Sequence, residues 1–160
     1  MSRTSRRYGV LAIAGPLAAA GLGSLGSRNA PRVYPLLDKP RWAPPPQVFG
    51  PVWTLLYAGI GAAGWRLRNR TDHRAVWLLH ATQLVLNAAW PYTFFSAGNR
   101  HAALAVIAAL DATVAAEIVL AARDDRTAAA LLVPYLGWSA YATALTAAIR
   151  PPGAEATGGG

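Results

Sequence analysis

The residues whose types and spacing could do chemistry are few, and they lie inside long apolar runs. His80, Gln83, Asn87, Trp90 and Phe94 follow at intervals of 3, 4, 3 and 4, which puts them on one face of a helix. Trp53, Tyr57, Gly61 and Gly64 share a second face, with rings at one end and glycines at the other. Trp138, Tyr141 or Ala142, and Leu145 share a third, after Pro134. Polar groups turned to lipid go unsatisfied, so the His80 stripe must point into a bundle or a cavity. Its position alone fits an interhelical hydrogen-bond seam and the wall of a ligand site equally well. His80 is the one histidine placed to test as an axial ligand of a metalloporphyrin. Asp111 and Glu117 are six residues apart, about 120° round a helix, so they make no convergent acid–base pair. The chain has no cysteine, which excludes disulfides, thiolate metal sites and cysteine nucleophiles. It also lacks a phosphate-binding glycine loop, metal-ligand spacing and a Ser-His-Asp arrangement, so no metal site is expected.

Composition says which elements must hold these residues. Of 160 residues, 54% are hydrophobic and 14% charged, against about 25% charged in soluble domains. Residues 8–25 and 48–65 are uncharged runs of 18, and 75–97 and 127–149 are uncharged runs of 23. Residues 102–122 are interrupted only by Asp111 and Glu117. Crossing the hydrocarbon core takes about 20 apolar residues in a helix. A soluble alanine-rich bundle would need a polar face on every helix, and four of the five runs offer no charge for one. The expected fold is therefore all-α, an integral membrane five-helix transmembrane bundle. It forms one domain over 1–150, followed by a disordered tail at 151–160. Short connections make neighbouring helices antiparallel.

The net charge of +8 then acquires a meaning, because nearly all basic residues flank the runs. Nine arginines fall on the side of the N-terminus and six basic residues on the other. That asymmetry favours a multi-pass protein of a cell membrane, taken as bacterial, with a cytoplasmic N-terminus. The lipid bilayer is the expected partner of this charge, and no nucleic acid is. Arg3, Arg6 and Arg7 ahead of an apolar run also resemble an export signal. No clear cleavage site followed by a soluble domain appears, so the first run is read as a retained span.

Trp65, Trp77 and Trp42 lie near span ends, where tryptophan commonly marks the membrane interface; Trp53 and Trp90 fit that reading too. Trp138 is mid-span, and an interface belt does not explain it. The first connection, 26–47, packs five prolines into residues 34–46, which predicts a stiff, extended segment without helix. Such a long loop is either a spacer or a lid, and an aromatic in its rigid part favours the lid. Ala108, Ala112 and Ala116, with Ala140, Ala144 and Ala148, form small-residue ladders suited to close helix packing and to a homodimer.

Taken in order, these segments resemble the TspO/MBR family of translocator and tryptophan-rich sensory proteins. The resemblance rests on Lys39-Pro40-x-Trp42-x-Pro44-Pro45, on Phe49 with Val52-Trp53 and Tyr57, on Gln83-Leu84-x-Leu86-Asn87-x-x-Trp90 with Phe94-Phe95, and on Pro134-Tyr135-Leu136-x-Trp138 with Ala142 and Leu145. It covers about residues 8–150. It implies a five-helix bundle, often dimeric, that binds porphyrins and hydrophobic drug-like molecules in a pocket under the 26–47 loop. Carried over by position, the ligand-binding residues are Trp42, Trp53, Tyr57, Asn87, Trp90, Trp138 and Ala142, with His80 as a further polar contact. Porphyrin or haem is the implied ligand, and no cofactor is required. The alternatives are a light-dependent porphyrin-degrading enzyme, with Trp53 and Trp138 as its candidate catalytic residues, and a tetrapyrrole transporter. Two positions depart from the family pattern: Thr146 stands where asparagine is usual, and Pro91 follows Trp90 directly.

Overall fold

The structure is a computed structural model that describes residues 3–149, with side chains from residue 8 onward. The 151–160 tail, expected to be disordered, lies outside the described residues. Helix α1 covers Arg3–Gly26, a single-turn α2 Ala30–Val33, α3 Phe49–Leu67, α4 Arg74–Pro91, α5 Arg100–Asp124 and α6 Arg126–Ala148. The five long helices coincide with the five apolar runs to within a few residues, and α2 makes a sixth. They close into a ring: α1 packs on α4, α4 on α5, α5 on α6, α6 on α3, and α3 back on α1.

Four stretches are long and apolar enough to cross a membrane: Tyr8–Gly26, Pro46–Leu67, Arg100–Asp124 and Arg126–Ala148. Helix α4 is the exception among the five expected spans. It is 18 residues long and carries His80, Gln83 and Asn87. A π-helical segment, Tyr92–Ser96, continues it past Pro91. All three polar side chains are buried, at 0%, 0% and 3% exposure, so the stripe faces the interior of the ring. The bend after Pro91 brings α1 close, because a Cβ on Gly26 would come within 2.8 Å of the Tyr92 amide nitrogen. Ser96 Oγ fixes this approach by donating to the Gly26 carbonyl at 3.0 Å.

The proline-rich loop is less extended than its composition predicts. Prolines sit in the first turns of α2 and of two 3-10 turns, Tyr34–Leu36 and Pro46–Val48, where a missing N–H costs nothing. Between the turns the chain is tied to itself and to α6. Lys39 Nζ donates to the carbonyls of Tyr34 at 2.6 Å and Leu37 at 3.0 Å. Tyr34 Oη donates to the Pro44 carbonyl at 2.8 Å. Burial, with Tyr141 nearby, pushes the Tyr34 phenol above its usual 10.0, so it remains a donor. Tyr141 Oη donates to the Trp42 carbonyl at 2.8 Å, which pins the loop to α6.

Trp77 departs from the interface-belt expectation. It is 3% exposed and stacks on Tyr8 at 4.4 Å and 2°. Trp65 keeps an exposed position, with the Arg68 guanidinium 3.3 Å over its ring. Both alanine ladders lie on the outer surface of the ring.

At the α5–α6 turn, Asp125 caps α6 by accepting from the Thr127 and Ala128 amides at 2.9 and 3.0 Å. Arg66 Nη2 of α3 meets the same carboxylate at 3.0 Å. The Ala128 amide bond, followed by Arg66, holds the carboxyl below its ordinary 3.8 despite its burial. Its stabilisation is therefore complete above that ordinary value and is lost as pH falls through the lowered folded value. Asp125→Ala is expected to cost about 0.5–2 kcal/mol near neutral pH. Thermal unfolding in detergent should show this deficit shrinking as the wild type is acidified.

Candidate functional site

A cavity of about 820 Å³ lies between α1 and α3, with α4 as its inner wall. Ala12, Pro16 and Ala20 of α1 face Phe49, Trp53, Tyr57 and Gly61 of α3, and Asn87 and Pro91 close the back. The mostly apolar lining follows from the sequence of α1, whose cavity face is built of alanine, isoleucine, proline, leucine and glycine, with Ser24 near its end. Polar groups gather at one point. Tyr57 Oη donates to Asn87 Oδ1 at 2.5 Å, and Asn87 Nδ2 donates to Tyr135 Oη at 2.7 Å. One carboxamide thus joins α3, α4 and α6. Trp53 completes the group, with its ring 5.6 Å from Tyr57 and 6.3 Å from Tyr135.

A second, much smaller space of about 20 Å³ lies beneath the loop, among Tyr34, Trp90, Phe94, Trp138, Ala142 and Thr146. Phe49 lines both spaces and meets Trp138 edge-on at 5.9 Å, so it stands between them. The expected site residues are therefore divided. Trp53, Tyr57 and Asn87 line the large cavity, whereas Trp90, Trp138 and Ala142 line the small one. Trp42 is 48% exposed and lies edge-on to Tyr141 at 5.5 Å, over the small space. His80 lines neither; it is fully buried, with Nδ1 2.7 Å from Glu117 Oε1.

The two intramembrane acids take separate partners. Glu117 pairs with His80 across α4–α5, and Asp111 Oδ2 accepts from Thr143 Oγ1 at 2.6 Å across α5–α6. Thr146, at the position that departs from the family pattern, donates its hydroxyl to the Ala142 carbonyl at 2.7 Å. Its own carbonyl accepts from Arg100 Nε at 3.1 Å, tying the start of α5 to the end of α6. Among the described residues, no three of His, Asp and Glu come together as a metal-binding group.

Sequence reasoning missed three contributors. Tyr135 lies three residues before Trp138, on the same helical face, so its spacing could have found it. Phe49 was part of the quoted motif, but nothing in its type marked it as a partition. The α1 wall carries no aromatic signal, and Ser24 is its one polar residue on the cavity.

A ring of long apolar helices, with a ligand-sized, largely apolar cavity between two of them, defines a multi-pass α-helical membrane protein. The sequence profile of the TspO/MBR family matches residues 12–151. The tryptophan-rich protein TspO of Archaeoglobus fulgidus is 39% identical over 144 residues, covering 86% of this chain and 93% of the relative. The translocator protein of Homo sapiens is 40% identical over 119 residues, covering 71% of this chain and 70% of the relative. The tryptophan-rich sensory protein of Cereibacter sphaeroides is 36% identical, covering 70% and 71%. The chain belongs to the TspO/MBR family.

The carboxamide at the meeting point of three helices generates a stability prediction. Asn87→Leu strands the buried Tyr135 hydroxyl and unpairs that of half-buried Tyr57, and is expected to cost about 1–3 kcal/mol. Tyr135→Phe removes one partner only and should cost less, about 0.5–1.5 kcal/mol. Thermal unfolding of both variants in the same detergent checks the order.

Proposed function

We propose that the protein is a membrane-embedded binding or sensor protein for tetrapyrroles and similar flat hydrophobic molecules, held in the cavity between α1 and α3. The observation that carries this reading is the cavity itself. Its volume lies in the range of about 300–1,000 Å³ typical of small-molecule sites, and its walls are mostly apolar. Trp53 and Tyr57 offer ring faces for a macrocycle to stack on, worth about 0.5–1.5 kcal/mol per aromatic pair. Asn87 supplies a polar contact whose orientation is already fixed by Tyr57 and Tyr135. A ligand meeting it loses little freedom, because the amide is held before binding. Trp90, Trp138 and Ala142 support the site from behind Phe49, and Trp42 covers them through Tyr141. Relatives named translocator and sensory proteins are consistent with a binding role.

Light-dependent degradation is kept as a second reading because Trp53 stands on the cavity wall, where an excited macrocycle would meet an indole. Metal-free protoporphyrin added to the purified protein should quench tryptophan fluorescence saturably. Trp53→Phe is expected to weaken affinity roughly two- to tenfold, the scale of one aromatic stacking contact. Trp138→Phe should leave affinity nearly unchanged. Unaltered affinity in Trp53→Phe would remove the α1–α3 cavity as the site. The same titration in the dark and under light separates the readings: equal porphyrin loss with and without protein removes degradation.

A further inference from the structure

The end of the bundle where α3 stops and α4 starts carries more positive charge than its acids balance. Arg66 is bound to Asp125 at 3.0 Å, and His73 lies 4.0 Å from Asp124, which leaves Asp72 as the remaining acid there. Among the described residues, Arg68, Arg70, Arg74, Arg123 and Arg126 at this end take part in no salt bridge. Arg70, Arg74, Arg123 and Arg126 are exposed, whereas Arg68 is half-buried and held in place.

Three contacts define that place. The Arg68 guanidinium lies 3.3 Å over the Trp65 ring. Its stem runs past α1, because a Cβ added to Gly9 would be 3.9 Å from Arg68 Cδ. Its Nε is buried and has no hydrogen-bond partner. Stacking on an indole fixes the plane of a guanidinium without engaging its N–H donors, so the fork is set and its donors stay free. Depth supplies the ligand. The apolar stretch Pro46–Leu67 contains Trp65 and ends one residue before Arg68. Trp65 is 45% exposed at that boundary, where indoles settle at headgroup level. The fork therefore stands at the height of lipid phosphates, whose geometry a guanidinium matches with two parallel hydrogen bonds. The unpaired arginines around it favour a headgroup with net negative charge over one that also carries an ammonium.

We propose that Trp65 and Arg68 form a headgroup site for an anionic phospholipid, with Arg68 donating to the phosphodiester and the Trp65 ring lying against the lipid beneath it. The site is separate from the α1–α3 cavity and stands or falls independently of the tetrapyrrole reading.

The test is native mass spectrometry of the full chain in detergent, titrated with phosphatidylglycerol or phosphatidylcholine, with inorganic phosphate as competitor. The wild type is expected to retain phosphatidylglycerol in preference to phosphatidylcholine, and inorganic phosphate should not displace it. Arg68→Gln should weaken phosphatidylglycerol binding about tenfold, the scale of one hydrogen bond to a charged group. Arg68→Lys keeps the charge and loses the fork, so it should weaken binding as well, and Trp65→Leu should do so by freeing the fork. Arg74→Gln at the same end and Arg32→Gln at the opposite end remove the same charge and should leave binding nearly unchanged. Thermal unfolding of each variant in phosphatidylcholine nanodiscs shows which ones are folded as the wild type is, and the comparison uses those. Equal retention of the two lipids, or wild-type affinity in Arg68→Lys and Trp65→Leu, would overturn the site. So would a loss in Arg74→Gln as large as in Arg68→Gln, which marks a diffuse surface field, and displacement by inorganic phosphate, which marks a small-anion site.

Discussion

A helix carrying an imidazole and two carboxamides fits within a bilayer only if all of them turn away from lipid. That constraint fixes α4. With its stripe facing inward, the helix must be flanked on both sides, and α1 and α5 provide the flanks. Two of its three polar side chains then bond to neighbouring helices, while Gln83 is fully buried with neither amide atom hydrogen-bonded among the described residues. Asn87 reaches α3 and α6 through two tyrosine hydroxyls, and His80 reaches α5 through Glu117. The cross-ring register of α4 follows from these two levels, one turn apart from Gln83 on either side.

The cavity depends on the same arrangement from the other direction. Asn87 and Pro91 of α4 form its back wall, so the polar stripe supplies both the internal bonds of the bundle and the inner surface of the site. Small residues do the rest. Gly61, Gly64 and Ala12 let α1 and α3 approach at one end, while Trp53, Tyr57 and Phe49 hold them apart at the other. A taper of this kind, glycine to tryptophan along α3, leaves space where the rings begin. The loop acts on the far side of Phe49. Its hydroxyl and ammonium bonds, from Tyr34, Lys39 and Tyr141, cover the small aromatic space and leave the large cavity uncovered.

Much of this was legible in the sequence because lipid punishes charge. The five long helices end where arginines and aspartates resume, and the inward stripe was readable from its 3, 4, 3, 4 spacing. Other features were not. Helix α2 hides behind a proline count, since proline in a first turn starts a helix as readily as proline elsewhere prevents one. Trp77 looked like an interface residue because its stacking partner, Tyr8, lies on α1, with the proline-rich loop and α3 between them in sequence. Trp53 and Trp138 looked like one site, and only packing shows Phe49 between them. The pairing of His80 with Glu117 spans 37 residues and depends on the rotation of α5, which an alanine-rich helix with almost no amphipathic pattern does not declare.

The central claim is that ligand occupies the α1–α3 cavity rather than the space beneath the loop. The cysteine-free chain allows a direct measurement, the rate at which a maleimide labels single cysteines with and without metal-free protoporphyrin. Ala58→Cys places the thiol in the cavity lining, and Val85→Cys places it on the outward face of α4, 68% exposed. Protoporphyrin is expected to slow labelling of Ala58→Cys in proportion to occupancy and to leave Val85→Cys unchanged. Undiminished labelling of Ala58→Cys at saturating porphyrin would contradict the account.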